Sequence, residues 1–285
     1  MKISGFTFIK NGQILGYPFI QSIQSILPIV DEFVINVGRS EDKTLELIQS
    51  INSNKIRIIL SEWNDSMKDR GYVYGQQKMI AQFNCKGDWA FYIEGDEVYH
   101  DGDLEKIKKS MRTHLNDPNV EALVFDFLHF YGNSNSVLKS PGWYRSEARI
   151  IKNSVRSYAP DGLFWLVLDS NKKGRYPRAK HTGVTCYHYG WIRTEEQMNL
   201  KSKKVKKYWG EKYKKIDYTQ MDQNIIKKFE GIHPNILIGW LPKSSGVYKA
   251  APNYVLTIKD KKHRMMIKLE KAFGLELSKK HYKLI

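Results

Sequence analysis

Apolar positions along this chain switch between a period of two and a period near 3.6, and the switching predicts strands alternating with helices. Residues 2–9 (KISGFTFI) read as a first strand; after the turn at Asn11-Gly12, residues 14–27 repeat apolar side chains at helical spacing, and Pro28 ends that helix. EFVINV (32–37) predicts a second strand, followed by a helix over 43–51 with Ser40 or Asp42 as its N-cap. KIRIIL (55–60) and residues 88–93 give third and fourth strands, with helices over 72–83 and 104–115. Further strands are expected over 121–131, 148–152 and 183–191. This alternation predicts an α/β sheet, whose ligands bind beyond the carboxyl ends of its strands.

The fourth strand lies in GDWAFYIEGDE (87–97), where an apolar run delivers Glu94, Asp96 and Glu97 within four positions. Carboxylates that close repel one another unless a cation lies between them, so a divalent ion held against phosphates suits the cluster. The competing reading is a solvated acidic turn after a core strand. Asn36 and residues 38–42 fall at the end of the second strand and Glu62 just after the third, so three polar groups gather on the expected binding edge.

Composition adds a core and an asymmetry of charge. The chain has 285 residues, 41% hydrophobic and 13% aromatic, enough for one large or two modest domains and far from a disordered composition. No apolar run approaches the roughly 20 residues that span a bilayer, and the N-terminus reads as a strand and not as a signal peptide. Cys85 and Cys186 stand in no metal spacing, which fits a cytoplasmic protein, soluble or peripheral to a membrane. The net charge is +16, and residues 191–285 hold 22 Lys and Arg against 9 Asp and Glu, so the first 190 residues are nearly neutral. Residues 1–190 are therefore expected to form the α/β body and 191–285 a basic, mainly helical extension.

In that extension Thr194 to Gln197 fits a capping box, and the helix it opens runs into five lysines within residues 201–207. A second helix is expected over 219–229, ended by Gly231, and a third over 260–273. The third sets Met265, Met266, Leu269 and Phe273 against Lys261, Lys262, Arg264, Lys268 and Lys271. Its apolar side is expected to dock on the body, leaving the lysines for an anionic membrane surface.

Taken in order, the loop ISGFTFIKNGQ, the loop NVGRSEDKT, the GDW at 87–89 and the acidic EGDE at 94–97 resemble the nucleotide-sugar glycosyltransferases of GT-A fold, in particular family 2, over about the first 190 residues. The resemblance implies a Rossmann-like mixed sheet flanked by helices. It also implies a metal-dependent, inverting transfer of a sugar from a nucleoside-diphosphate donor to a glycan, lipid-linked or other hydroxyl acceptor, with Mn²⁺ or Mg²⁺ as cofactor. Asp96 is then the expected metal ligand, joined by the His of the YHYGW segment, His188, with His181 as a weaker rival. Glu94 stands where the family has the first Asp of its D-x-D and would face sugar or ribose; Glu97 is either a ligand or part of the scaffold. Asn11, Asn36, Arg39, Glu62, Arg70 and Arg193 are implied donor contacts, although Asn36 replaces the usual Asp and Arg39 faces either a phosphate or solvent. The resemblance also makes Lys78 a candidate to pair with diphosphate oxygens, against the alternative of a solvated helix charge. Asp161, in the turn APDG, is the implied base for the acceptor hydroxyl, with Glu147 and Asp169 as alternatives.

Two other functions compete. A basic nucleic-acid-binding protein would account for the charge, but no helix-turn-helix, zinc-finger or RNP-like pattern is present and the basic residues avoid the α/β body. A sugar-nucleotide nucleotidyltransferase would use a similar metal site but calls for a Gly-rich, Arg/Lys-bearing N-terminal loop that this chain lacks.

Overall fold

Four parallel strands carry the binding edge. In a computed structural model that describes residues 1–171 and 173–285, the elements in chain order are β1 (Ile3–Ile9), α1 (Phe19–Ile26), β2 (Glu32–Gly38), α2 (Thr44–Gln49), β3 (Ile56–Ser61), α3 (Tyr72–Phe83), β4 (Trp89–Tyr92), β5 (Glu97–Tyr99), α4 (Leu104–His114), β6 (Ala122–Tyr131), β7 (Asn133–Leu138) and β8 (Ser146–Lys152). There follow β9 (Ser157–Tyr158), β10 (Leu166–Leu168), β11 (Gly174–Arg175), β12 (Arg178–Trp191), α5 (Glu195–Lys206), β13 (Ile226–Lys228), α6 (Ile258–Phe273) and β14 (Lys283–Leu284). The main sheet runs β13-β7-β6-β8-β4-β1-β2-β3, with β12 pairing β6, β5 and β14; β9, β10 and β11 form a small separate sheet. β1 is parallel to β2 and β4, and β2 to β3, so all four carboxyl ends meet at one edge. β8 enters antiparallel beside β4. The mixed α/β sheet with flanking helices expected from the sequence is what the chain forms.

Alternation along β2 explains the two layers. Phe33 and Ile35 face α1 and α4, where Phe19, Ile23, Ile26, Ile107 and Met111 complete one core; Val34 faces the other side, with Phe6, Tyr92, Met79 and Trp165. Full burial of such side chains contributes roughly 1.5–3 kcal/mol each.

Several expected elements differ. The first helix begins at Phe19, after Pro18, because residues 11–17 are wound into turns with Leu15 N–H on Asn11 O and Gly16 at φ +63°. β7 (NSNSVL) has no hydrophobic alternation to announce it and exists because it pairs with β6. Residues 219–229 do not form a helix: Gln223–Ile225 is a single 3₁₀ turn, and Ile226–Lys228 is a strand against β7, with Ile225 and Ile226 buried beside Tyr131 and Leu138. Tertiary pairing overrides the helical spacing there.

The C-terminal third is built onto the same sheet through β13 and β14. Its capping box at Thr194 is present, and a second one, Thr257 with Asp260, opens α6. The expected docking of α6 is reversed: Met265, Leu269 and Phe273 are exposed, and the helix attaches through Arg264 on Asp222 and Glu270 on Arg145. No helix is long and apolar enough to cross a membrane among the described residues.

Candidate active site

At the carboxyl edge of β1 and β4 lies a cleft of about 390 Å³, with Asn11, Tyr17, Trp63, Tyr92, Glu94, Asp96 and His188 among its walls. β4 delivers the acids and β12 returns alongside β5, pairing His188 with Glu97 and so bringing residues about 90 positions apart together. Tyr189 N–H donates to Asp96 O at 2.7 Å, which fixes the acidic turn against β12.

The three acids divide by their partners. Glu97 is buried and held by Arg149, whose Nε and Nη2 atoms lie 2.6–3.0 Å from its carboxylate; it is scaffold. Arg149 also reaches Glu94 Oε1 at 3.1 Å. Burial and then repulsion from Glu97 raise the Glu94 carboxyl above the usual range, against the pull of Arg149. Asp96 is 3% exposed. Its burial would raise its pKa, but attraction from Lys201, His188 and Arg193 prevails and keeps it ionised well below the usual range. Lys201 Nζ and Arg193 Nη2 both sit on Asp96 Oδ2, at 3.3 and 3.4 Å, leaving Oδ1 toward His188 Nε2 at 3.6 Å.

The protons on the two histidines follow from their hydrogen bonds. His129 Nε2 lies 2.6 Å from the Tyr144 carbonyl oxygen, which can only accept, so Nε2 carries a proton. Burial pushes His129 down to about 4, so its Nδ1 is a lone pair at neutral pH. His188 Nδ1, 2.9 Å away, must then be the donor. Burial likewise pushes His188 down to about 3, so its Nε2 is unprotonated and faces the Asp96 carboxylate. Two acceptors face each other with no proton between them.

Gly190 preserves that gap, since a Cβ there would fall 2.6 Å from His188 Cε1 and 3.3 Å from Asp96 Oδ2. Adjacent ligands of an octahedral Mg²⁺ or Mn²⁺, each bonded at about 2.1 Å, stand about 3.0 Å apart, so the pair at 3.6 Å would have to close by about 0.6 Å to hold such an ion. No group of three His, Cys, Asp or Glu side chains suited to a metal occurs among the described residues, so such an ion would take its remaining ligands from bound oxygens.

The other expected site residues separate. Arg193 is buried at the site and donates to Gly16 O and Gly190 O, with its guanidinium 4.4 Å from the Tyr17 ring centroid. Asn11 lines the cleft at φ 56°, a conformation Asn tolerates, and its Oδ1 accepts from Glu41 N–H at 2.7 Å. Asn36 is shut away from the cleft: it is fully buried under α3, its Nδ2 donates to Gln77, and its Oδ1 has no partner among the described residues. Arg39 and Glu62 pair with each other at 3.8 Å on the surface, and Arg70 is exposed beside Asp69; none of the three lines the cleft. His181 bonds Asp126 away from Asp96. Glu147 is buried against His281 and Asp169 pairs with Arg175, so both alternative bases are engaged elsewhere. Asp161 sits in the turn whose next residues, Gly162 and Leu163, line the cleft; its Oδ1 accepts from Leu163 N–H at 2.8 Å. Lys78 is buried beneath that turn, with Nζ 3.2 and 3.3 Å from Gly162 O and Leu163 O, and has no opening to the cleft.

Sequence reasoning missed Lys201, Lys204 and Lys207. Within the lysine run these three turn into the cleft, with Lys201 on Asp96, Lys204 on Glu41 and Lys207 on Asp65. Tyr208 also bonds Asp65, and Trp209 packs over Gly71 and Tyr74. The signal was there in the acids across the cleft, but only the tertiary fold sets the two series opposite each other.

No protein-family model matches the chain. Over 96 residues, 34% of this chain and 28% of the relative, it is 31% identical to a curated uncharacterized glycosyltransferase of Rickettsia bellii (strain RML369-C). Solved structures similar to it include S. aureus TarS 1–349 in complex with UDP, at 18% identity and TM-score 0.35 over 50% of this chain and 40% of that one. Another is glucosyl-3-phosphoglycerate synthase from Mycobacterium tuberculosis in complex with Mg²⁺ and UDP, at 16% identity and TM-score 0.33 over 44% and 43%. A third is a mannosyltransferase from Pyrobaculum calidifontis in complex with GDP-Man and Mn²⁺, at 15% identity and TM-score 0.33 over 43% and 34%. The chain thus spans less than half the length of each of these proteins. Over the third of its length that aligns with the curated relative, the chain is glycosyltransferase-like.

Proposed function

We propose that this chain is a metal-dependent glycosyltransferase that moves a sugar from a nucleoside-diphosphate donor to a hydroxyl acceptor with inversion. The observation that carries the reading is the facing pair, Asp96 Oδ1 and the bare His188 Nε2, 3.6 Å apart at the carboxyl edge of the parallel strands. The likeness to the R. bellii glycosyltransferase supports it.

Asp96 and His188 would hold Mn²⁺ or Mg²⁺, which when bound neutralises charge on the departing diphosphate. Lys201 and Arg193 supply fixed positive charge at the same carboxylate, and donor phosphates would draw Lys201 away from it. Tyr17, Trp63 and Tyr92 give the cleft flat apolar surfaces for base and sugar. Asn36, Arg39, Glu62 and Arg70 have no part in this reading, so the base is recognised from the cleft walls that remain. Asp161 receives the acceptor proton through Oδ2, since Oδ1 is used in the turn, and Lys78 and Arg149 hold that turn through Gly162 O and Leu163 O. The acceptor is a glycan, lipid-linked or other hydroxyl compound.

A panel of UDP- and GDP-sugars, assayed for nucleoside-diphosphate release with Mn²⁺ and with EDTA, tests the reading. Release from one donor that requires Mn²⁺ and is lost in Asp96→Ala supports it; no release from any donor, with or without added glycan acceptors, counts against it.

A further inference from the structure

The face of α6 that points away from the body is apolar where a soluble protein's helix is polar. Ile258, Met265, Leu269 and Phe273 recur at i, i+7, i+11 and i+15, which on a 3.6-residue helix confines them to an arc of about 80°. All four are exposed, Ile258 at 88% and Phe273 at 69%, as are Val255 and Leu275 just beyond either end of the helix. Lys261 and Lys268 border one side of the arc and Lys259 the other, while Lys262 falls within it; these lysines, and Lys271 toward the opposite side, are exposed and make no ion pair within 4.0 Å among the described residues.

The acids of α6 are spent on the opposite side. Asp260 closes the capping box and accepts from Tyr254, and Glu270 clasps Arg145 at 2.8 and 3.0 Å. Arg264 is bidentate on Asp222, at 2.7 Å to each oxygen. The docked side is thus tied by paired charges, and the free side carries apolar residues and unpaired lysines. Along the edge of the stripe that carries Lys261, Met265 and Lys268 runs a second cavity, of about 980 Å³, whose far wall includes Phe127, Leu138 and Lys139 of the body.

We propose that α6 is a membrane-surface helix that lays this stripe into the interface of an anionic phospholipid bilayer. A protein partner would have to offer both an apolar groove and an acidic surround; an anionic bilayer presents both along the whole length of the helix. The apolar side chains enter the headgroup boundary while the flanking lysines keep their ammonium groups at the level of the phosphates. This use of α6 does not depend on the chemistry of the cleft. Lys201, Lys204 and Lys207 are engaged with acids of the cleft and take no part in this use.

Co-flotation of the full chain with phosphatidylcholine vesicles, with and without phosphatidylglycerol, at low and high salt, tests the proposal. Binding is expected only with phosphatidylglycerol and low salt, and should fall at least tenfold in Leu269→Glu/Phe273→Glu and in Lys261→Glu/Lys268→Glu. Unchanged melting and circular dichroism would show that these exposed substitutions leave the fold intact; a variant that has lost its fold is replaced by the single change Phe273→Ser. No binding at low salt, or binding that survives both double variants, would overturn it. So would a chain that is dimeric in size-exclusion chromatography and becomes monomeric in Leu269→Glu/Phe273→Glu, since the stripe would then join two copies.

Discussion

His188 donates its Nδ1 proton to His129 Nδ1 across 2.9 Å, and this leaves the His188 Nε2 lone pair aimed at Asp96. His129 is fixed in its turn by the Tyr144 carbonyl. One backbone oxygen therefore sets the tautomer of a side chain two hydrogen bonds away.

Replacing His129 tests that relay. His129→Phe removes the acceptor, and Mn²⁺ affinity is expected to fall 10- to 100-fold, the usual cost of losing a partner behind a metal ligand. His129→Gln, whose amide oxygen can accept from His188, should recover part of the loss. Electron paramagnetic resonance of free Mn²⁺ during titration reads both, and equal affinity in His129→Phe would refute the relay.

Arg149 joins the acidic turn to the loop that carries Asp161. Both Arg149 and Glu97 have side chains with 0% exposure. Arg149→Met leaves a buried carboxylate without its partner and should cost about 3–5 kcal/mol of stability. Arg149→Met/Glu97→Gln should recover much of this, and chemical denaturation of the two variants compares them directly.

Lys78 gives the fold a dependence on pH. Burial, then repulsion from Arg149, lowers its pKa to about 7, while an unfolded lysine titrates near its ordinary 10.5. The native amine can still donate to Gly162 O and Leu163 O when neutral. Because the unfolded chain binds this proton more tightly, the stabilising contribution is fully present above 10.5 and is lost as the pH falls toward 7. Between pH 7.5 and 9.5 the wild type should therefore gain about 2 kcal/mol relative to Lys78→Met, at roughly 1.4 kcal/mol per pH unit for one proton. Urea denaturation at a series of pH values measures the difference; a constant gap would show that Lys78 stays charged.

Asp161→Asn keeps the turn, since an Asn oxygen can accept from Leu163 N–H as Asp161 Oδ1 does. If Asp161 is the base, transfer should fall 10²- to 10⁴-fold with donor affinity unchanged. Near-normal turnover would remove it from the mechanism and leave it a turn residue.

The sheet was legible in the sequence because strands such as β2 and β4 bury nearly every residue and carry the apolar runs to match. β7 was not, because its polar sequence owes its conformation to its neighbours. At the site, Asp96, His188 and Arg193 could be picked out by motif and spacing, and the fold unites them. Asn36 lies near the end of β2 and Arg39 just beyond it, but orientation decides their use: the side chain of Asn36 turns toward Gln77, and that of Arg39 into solvent toward Glu62. The lysine run at 201–207 was not placed at the site for a related reason. A charge run has no direction until the helix is placed, and here its neighbours are Asp96, Glu41 and Asp65. The apolar stripe of α6 misled in the same way, since periodicity reveals a face without saying what covers it.

The central claim is that Asp96 and His188 hold a divalent cation together with a diphosphate. Calorimetric titration of Mn²⁺ into the protein, alone and with UDP or GDP, tests it in the wild type, Asp96→Ala and His188→Ala. Binding should be tighter with a nucleoside diphosphate present and should weaken at least tenfold in each variant; Mn²⁺ affinity that is the same in all three proteins would contradict the account.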